Sequence, residues 1–210
     1  MILSPTYDQT HPLDEFNYKT MIVPYGMALK QMEAWIHELH QQWIDHCHTD
    51  PIHHIQSRIK TRESVCGKLQ RQHRSMTVEN ARNYLSDVAG LRVVCHFIRD
   101  IDGLVNMIHQ RNDRLILRER DYIREPKDNG YRSYHMIFAV PVCLEDTREY
   151  YPVELQLRTL SMDFWSSMEH RICYKSHHPQ SLVQDFLEAE FIEYARQLAQ
   201  MEERMERYWI

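Results

Sequence analysis

The sequence predicts an α/β (α+β) domain, a mixed β-sheet flanked by helices, and three features carry that expectation. Residues 19–48 repeat their apolar side chains at helical spacing. Short β-type runs recur between residues 91 and 159, one of them in strict alternation. A second long amphipathic stretch, 181–208, lies near the end of the chain. Strands interspersed with helices and bracketed by long ones fit a sheet covered by helices.

In order, Ala28, Met32, Trp35, Ile36, Leu39 and Trp43 mark one stripe of the first helix. Pro51 breaks it, and "PIHHIQSRIK" reads as extended. Residues 63–74 read as helix, and 77–86 as a shorter one that Thr77 can cap. "LRVVCHF" (91–97) has the composition of a buried strand. A helix near 100–112, a strand at 114–123, and strands at 134–142 and 151–159 follow, then helices near 160–175 and 181–208.

With 210 residues, the chain is long enough for one domain with a substantial core. Its 43% hydrophobic and 26% charged content is ordinary for a water-soluble protein, and no window approaches the roughly 20 apolar residues of a membrane span. The opening "MILSPTYDQTHPLDEF" lacks the basic-then-apolar pattern of a secretory signal. Five scattered cysteines, none in a CxxC pair, read as reduced thiols and point to the cytoplasm. The run "HCHTDPIHH" lacks the pair spacing of a zinc site.

A net charge of −5 argues against wholesale nucleic-acid binding. Yet "RIKTRESVCGKLQRQHR" (58–74) holds six Lys/Arg against one Glu. A local basic patch on an acidic chain suits a compact polyanion such as a nucleotide. Arg58, Lys60 and Arg62 alternate, which places them on one face of an extended stretch; Lys68 and Arg71 share a helix face. These five cations can neutralise a triphosphate. No GxxxxGK[ST] sequence is present, so such a grip relies on side chains.

In "VELQLRT", alternation sets Glu154, Gln156 and Arg158 on one face and Val153, Leu155 and Leu157 on the other. Asp87 just precedes a strand that carries Arg92. Two carboxylates among basic residues are what a Mg²⁺–polyphosphate site requires, since Mg²⁺ completes its octahedron with water and phosphate oxygens. In "KDNGYRSYH" (127–135), Asn129-Gly130 signals a tight turn that brings Tyr131 to the rim. A phenol ring there can stack on a base for roughly 1–3 kcal/mol, with Lys127, Arg132 and His135 beside it.

"RIKTRESVCGKLQR", "DVAGLRVV", "KDNGYRSYH" and "VELQLRTLSMDFWSSMEHRICYK" occur in this order over residues 58–175. Together they resemble the synthetase domain of the RelA/SpoT family, the GTP pyrophosphokinases that make the alarmone (p)ppGpp. The hydrolase domain's His-Asp motif is not seen and there is no room for the regulatory domains, so the chain resembles a stand-alone small alarmone synthetase. The resemblance implies a nucleotidyltransferase-like mixed sheet at residues 51–176, an N-terminal helical extension over 1–50 and an oligomerising C-terminal helix over 177–210. It implies transfer of the β,γ-pyrophosphate of ATP to the 3′-hydroxyl of GTP or GDP, with AMP released.

Carried over, Asp87 and Glu154 hold Mg²⁺ and Glu154 also orients or deprotonates the attacking hydroxyl, with Gln156 beside it. Arg58 and Arg92 match the pair that sandwiches the donor adenine, while Lys60, Ser64, Lys68 and Arg71 match donor phosphate contacts. Tyr131 matches the aromatic that stacks on guanine, and Lys127, Asn129, Arg132 and His135 match the acceptor loop. Arg118 and Arg120 are expected as phosphate or metal-site neighbours, with Arg120 and Arg158 among the GTP contacts. Asp163 stands where relatives carry Asn, so its role in guanine contact stays open. Phe164, Trp165 and Met168 have the spacing of a packed helix face.

Leu182, Phe186, Leu198, Met201, Met205 and Trp209 give the last helix more apolar surface than one sheet needs, and the resemblance implies a homotetramer. Two other readings stand beside the synthetase: an enzyme of the same fold that pyrophosphorylates the 3′ end of tRNA, and, from a different class, a nucleotide sensor that has lost catalysis. The acidic net charge speaks against the first, and the presence of Asp87 and Glu154 against the second.

Overall fold

The computed structural model describes residues 11–144, 147–174 and 182–208. Helix α1 (Glu15–Cys47) starts four residues before its expected position because Asp14 caps it, Oδ1 accepting from the Asn17 N–H at 2.8 Å. Pro24 sits inside α1 without ending it, and the helix continues another six turns. Its stripe, including Tyr25, Met32, Trp35 and Leu39, is almost wholly buried against the sheet. Each such side chain contributes about 1.5–3 kcal/mol of burial free energy. Helix α1, which falls within the expected N-terminal extension, therefore contributes to the main core.

Strand β1 (Ile52–Ile59) leads into α2 (Arg62–Arg71), which Thr61 caps, and then α3 (Val78–Tyr84), which Thr77 caps as expected. Strand β2 (Ala89–Cys95), α4 (Ile98–Arg111) and β3 (Leu115–Asp121) follow. The hairpin of β4 (Tyr134–Leu144) and β5 (Thr147–Thr159) completes the five-stranded sheet. Its order is β1-β2-β5-β4-β3. Only β2 and β5 run parallel; every other pair is antiparallel. The expected mixed sheet with flanking helices is what is found.

Strand β5 begins four residues earlier than expected, because pairing with β4 holds the polar segment Thr147–Tyr150 extended. The expected helix over 160–175 divides into α5 (Leu160–Glu169) and one wider turn, His170–Tyr174. Helix α6 (Leu182–Glu206) packs on α5 around Trp165, Phe191 and Ala195, a cluster separate from the main core. Of the three residues expected to pack from α5, Trp165 is buried and Met168 partly so, whereas Phe164 is 58% exposed. Trp209 and the Leu182 side chain lie outside the described residues, as does the proposed boundary at 176–177.

Candidate active site: a charged sheet face with an aromatic wall

Strand register assembles the site. Because side chains alternate and the strands pair in fixed register, residues far apart in sequence form rows on one sheet face. One row reads Arg58, Gly90, Glu154, Ile137, Arg118 across β1, β2, β5, β4 and β3; the next reads Gln56, Arg92, Gln156, His135, Arg120. Leu91, Leu155 and Met136 point to the opposite, buried face. The alternation read in "VELQLRT" thus holds: Glu154 and Gln156 face a cleft of about 660 Å³ that Arg58, Lys68, Asp87 and Arg120 also line.

Asp87 enters from the loop between α3 and β2. Its Oδ2 accepts from Lys60 Nζ at 2.5 Å and Lys68 Nζ at 2.6 Å. Burial pushes this carboxyl up, but the two ammonium groups outweigh it and hold the pKa below the usual value. Its Oδ1 is buried without a hydrogen-bond partner. Glu154 is balanced likewise: burial raises it, the contacts from His135 (3.2 Å) and Gln156 (2.8 Å) lower it, and the charge of Asp87 pushes it up. The net shift is downward, so Glu154 is ionised at neutral pH.

Arg58 and Arg92 stand on neighbouring strands, with Gln56 and Gly90 between them in a small hollow. Arg92 Nη1 lies 3.0 Å from Asp163 Oδ1, and the same oxygen accepts from Arg158 Nη1 at 3.2 Å. Asp163 therefore offsets two neighbouring guanidinium charges, one of them buried on Arg158.

The aromatic wall comes from the loop before β4. Gly130 N–H donates to the Lys127 carbonyl at 2.8 Å and Asn129 Oδ1 accepts from the Tyr131 N–H at 3.2 Å, closing the turn. Gly130 has φ +88°, and a Cβ there would lie 3.0 Å from Ala195 Cβ and 3.3 Å from Ile192 Cα of α6. Glycine is thus required for both conformation and space. Tyr131 lines the cleft beside Tyr122, with Lys127 Nζ 4.8 Å from both ring centres.

Not every expected residue converges. Arg62 opens α2 instead of extending β1, and its guanidinium turns to the Leu13 carbonyl and to Glu15. Arg71 lies at the exposed end of α2 and is not among the cleft-lining side chains. Ser64 contacts the Thr61 cap, Oγ to Oγ1 at 3.0 Å. Asn129 shapes the turn, and Arg132 lines a hollow with Ser161, Trp165 and Leu198, its guanidinium sensing the charge of Glu202. Conversely, Gln56, Tyr122 and His170 line these cavities without having been singled out. Gln56 and Tyr122 were detectable as the two-residue neighbours of Arg58 and Arg120.

A cleft with cations on one wall, a carboxylate pair at its floor and an aromatic turn opposite defines a nucleotide-binding domain that acts on phosphates. The family model described as "Region found in RelA / SpoT proteins" matches residues 57–179, and the chain belongs to the RelA/SpoT family. It is 39% identical over 176 residues to the GTP pyrophosphokinase YwaC of Bacillus subtilis, covering 82% of this chain and 83% of that protein. Among solved structures, it is similar to small alarmone synthetase 1 of Bacillus subtilis bound to its product pppGpp. That match has a TM-score of 0.80 and 27% identity over 90% of this chain and 95% of the other. Small alarmone synthetase 2 of the same organism gives 0.77 and 36%, over 90% and 96%.

Proposed function

We propose that the protein is a GTP pyrophosphokinase that transfers the β,γ-pyrophosphate of ATP to the 3′-hydroxyl of GTP or GDP, giving (p)ppGpp and AMP. The observation that carries this is the convergence of Arg58, Asp87, Glu154 and Tyr131 on one cleft, with Arg92 in the adjoining hollow that Arg58, Asp87 and Glu154 also line. The family membership and the similarity to GTP pyrophosphokinases support the same reaction.

In the reaction, the acceptor 3′-oxygen bonds to the β-phosphorus while the bond from that phosphorus to the α,β-bridging oxygen breaks, and AMP leaves with that oxygen. The hydroxyl proton passes to Glu154. A carboxylate is a weak base for an alcohol, so placement and charge neutralisation carry most of the rate. Arg58 and Arg92 offer planar faces to adenine, and Tyr131 offers its ring to guanine. Lys60 and Lys68, which pair with Asp87, share their charge with donor phosphates in this reading.

Mg²⁺ fits the donor set. Asp87 Oδ1 is a buried oxygen without a partner, Glu154 lies close enough to feel the charge of Asp87, and Mg²⁺ typically takes one or two carboxylates. Among the described residues no cluster of three metal-ligating side chains occurs, which leaves the remaining positions to water and phosphate. When bound, the ion supplies charge neutralisation on the transferring phosphates.

The exposed apolar side chains of α5 and α6, such as Phe164, Tyr194 and Met201, line an apolar groove of about 540 Å³ between the helices. They support a homo-oligomer, a tetramer by family resemblance. Light scattering at micromolar protein is expected to exceed a single chain's mass; a single-chain mass contradicts this. No described helix is long and apolar enough to cross a membrane, and reduced cysteines suit a cytoplasmic setting.

The function is tested by incubating purified protein with Mg²⁺, γ-labelled ATP and each guanine nucleotide in turn. Label moving to a guanosine 3′-pyrophosphate with matching AMP release is expected. Label that stays on ATP, or moves only when tRNA is added, contradicts it.

A further inference from the structure

Four side chains form a hydrogen-bond string whose direction is determined at both ends. Arg158 Nη2 donates to the Tyr131 hydroxyl oxygen at 2.7 Å. That hydroxyl lies 2.8 Å from His135 Nε2, and His135 Nδ1 lies 3.2 Å from Glu154 Oε1. A guanidinium can only donate and an ionised carboxylate can only accept. Glu154 therefore requires the hydrogen of His135 on Nδ1, and a neutral ring then leaves Nε2 free to accept from the Tyr131 O–H. With the imidazole hydrogen on Nδ1, the string runs from Arg158 to Tyr131 to His135 to Glu154 and satisfies every member. The last two sit on adjoining strands, Ile137 opposite Glu154 and His135 opposite Gln156, which brings them together diagonally.

We propose that His135 is a positioning residue that joins the guanine platform to the reactive carboxylate. One ring nitrogen sets the tilt of Tyr131, and the other aims Glu154 at the acceptor hydroxyl. This rests on the pyrophosphokinase reading above and goes beyond it: the seating of the base and the orientation of the proton acceptor share one imidazole. A contact to acceptor phosphate alone gives His135 no reason to bond both partners.

Two substitutions separate the roles. His135→Asn places an amide N–H near the former Nδ1 and cannot reach Tyr131; His135→Gln places its amide near the former Nε2 and cannot serve Glu154 in the same pose. Steady-state kinetics of label transfer should split accordingly. His135→Asn is expected to raise the GTP KM about tenfold with kcat within about threefold, the loss expected for one hydrogen bond. His135→Gln is expected to lower kcat at least tenfold with the GTP KM nearly unchanged, while neither shifts the ATP KM. Tyr131→Phe keeps the stacking ring but cuts the string, and should reproduce His135→Asn without adding to it in the double variant. It also tests the string should either His135 variant fail to fold. Equal damage to kcat and KM by both His135 variants, or additivity with Tyr131→Phe, overturns the proposal. Wild-type protein that transfers no label overturns the parent reading instead.

Discussion

The two walls of the cleft are built by different physics. The wall from β1, α2 and β2, proposed above to take the donor, consists of long cations that make ion pairs: Lys60 and Lys68 with Asp87, Arg92 with Asp163. The opposite wall, proposed above to take the acceptor, is a closed turn whose glycine rests on α6 and whose tyrosine is bonded to two further side chains. One wall is held mainly by ion pairs; the other is held by a turn packed against α6. Glu154 sits where they meet. On the proposed assignment, the phosphates meet an electrostatic grip and the base meets a packed aromatic turn.

The largest effect is expected at the meeting point. Glu154→Gln should lower kcat on the order of 10²–10⁴-fold with an unchanged circular-dichroism spectrum, because a proton acceptor and charge are lost. Near-normal turnover would remove Glu154 from its role. Tyr131→Ala should cost roughly 1–3 kcal/mol of acceptor binding and leave the ATP KM alone. Gly130→Ala, which forces a side chain into positive φ and against Ala195, should destabilise the fold by about 1–2 kcal/mol and weaken the acceptor far more than ATP.

Two acids give smaller, opposite pH effects. Asp87 is depressed in the folded protein, so its stabilisation is present above its unfolded pKa and lost as pH falls through the lower folded value. Asp87→Asn should flatten the fall in Tm at acid pH. Glu202 of α6 is 5% exposed and raised by burial, with Ser161 hydrogen-bonded at 2.6 Å and Oε1 unpartnered. Its ionised form therefore weakens the fold above the folded pKa, and the penalty vanishes as pH falls below the unfolded value. Glu202→Gln should raise Tm by a few degrees at neutral pH and not below the carboxylate range. An unchanged Tm at neutral pH would contradict the burial argument.

The strand alternation in "VELQLRT" and the Asn129-Gly130 turn were legible because each depends on neighbours within a few residues. Arg62 was misplaced because the extended pattern runs into the Thr61 cap, and one residue decides between strand and helix there. Arg132 follows Tyr131 directly, but it turns toward Glu202 on α6, a partner 70 positions away. The Asp163 bridge and the string through His135 were equally out of reach: both depend on strand register and helix docking. What α5 and α6 contribute to the site is tertiary, and no local pattern encodes it.

The most direct test of the two-wall account is a crossed measurement of KM for ATP and GTP in Arg58→Ala and Tyr131→Ala. The account predicts that Arg58→Ala raises chiefly the ATP KM and Tyr131→Ala chiefly the GTP KM. If both variants weaken both nucleotides equally, the cleft does not have separate donor and acceptor walls.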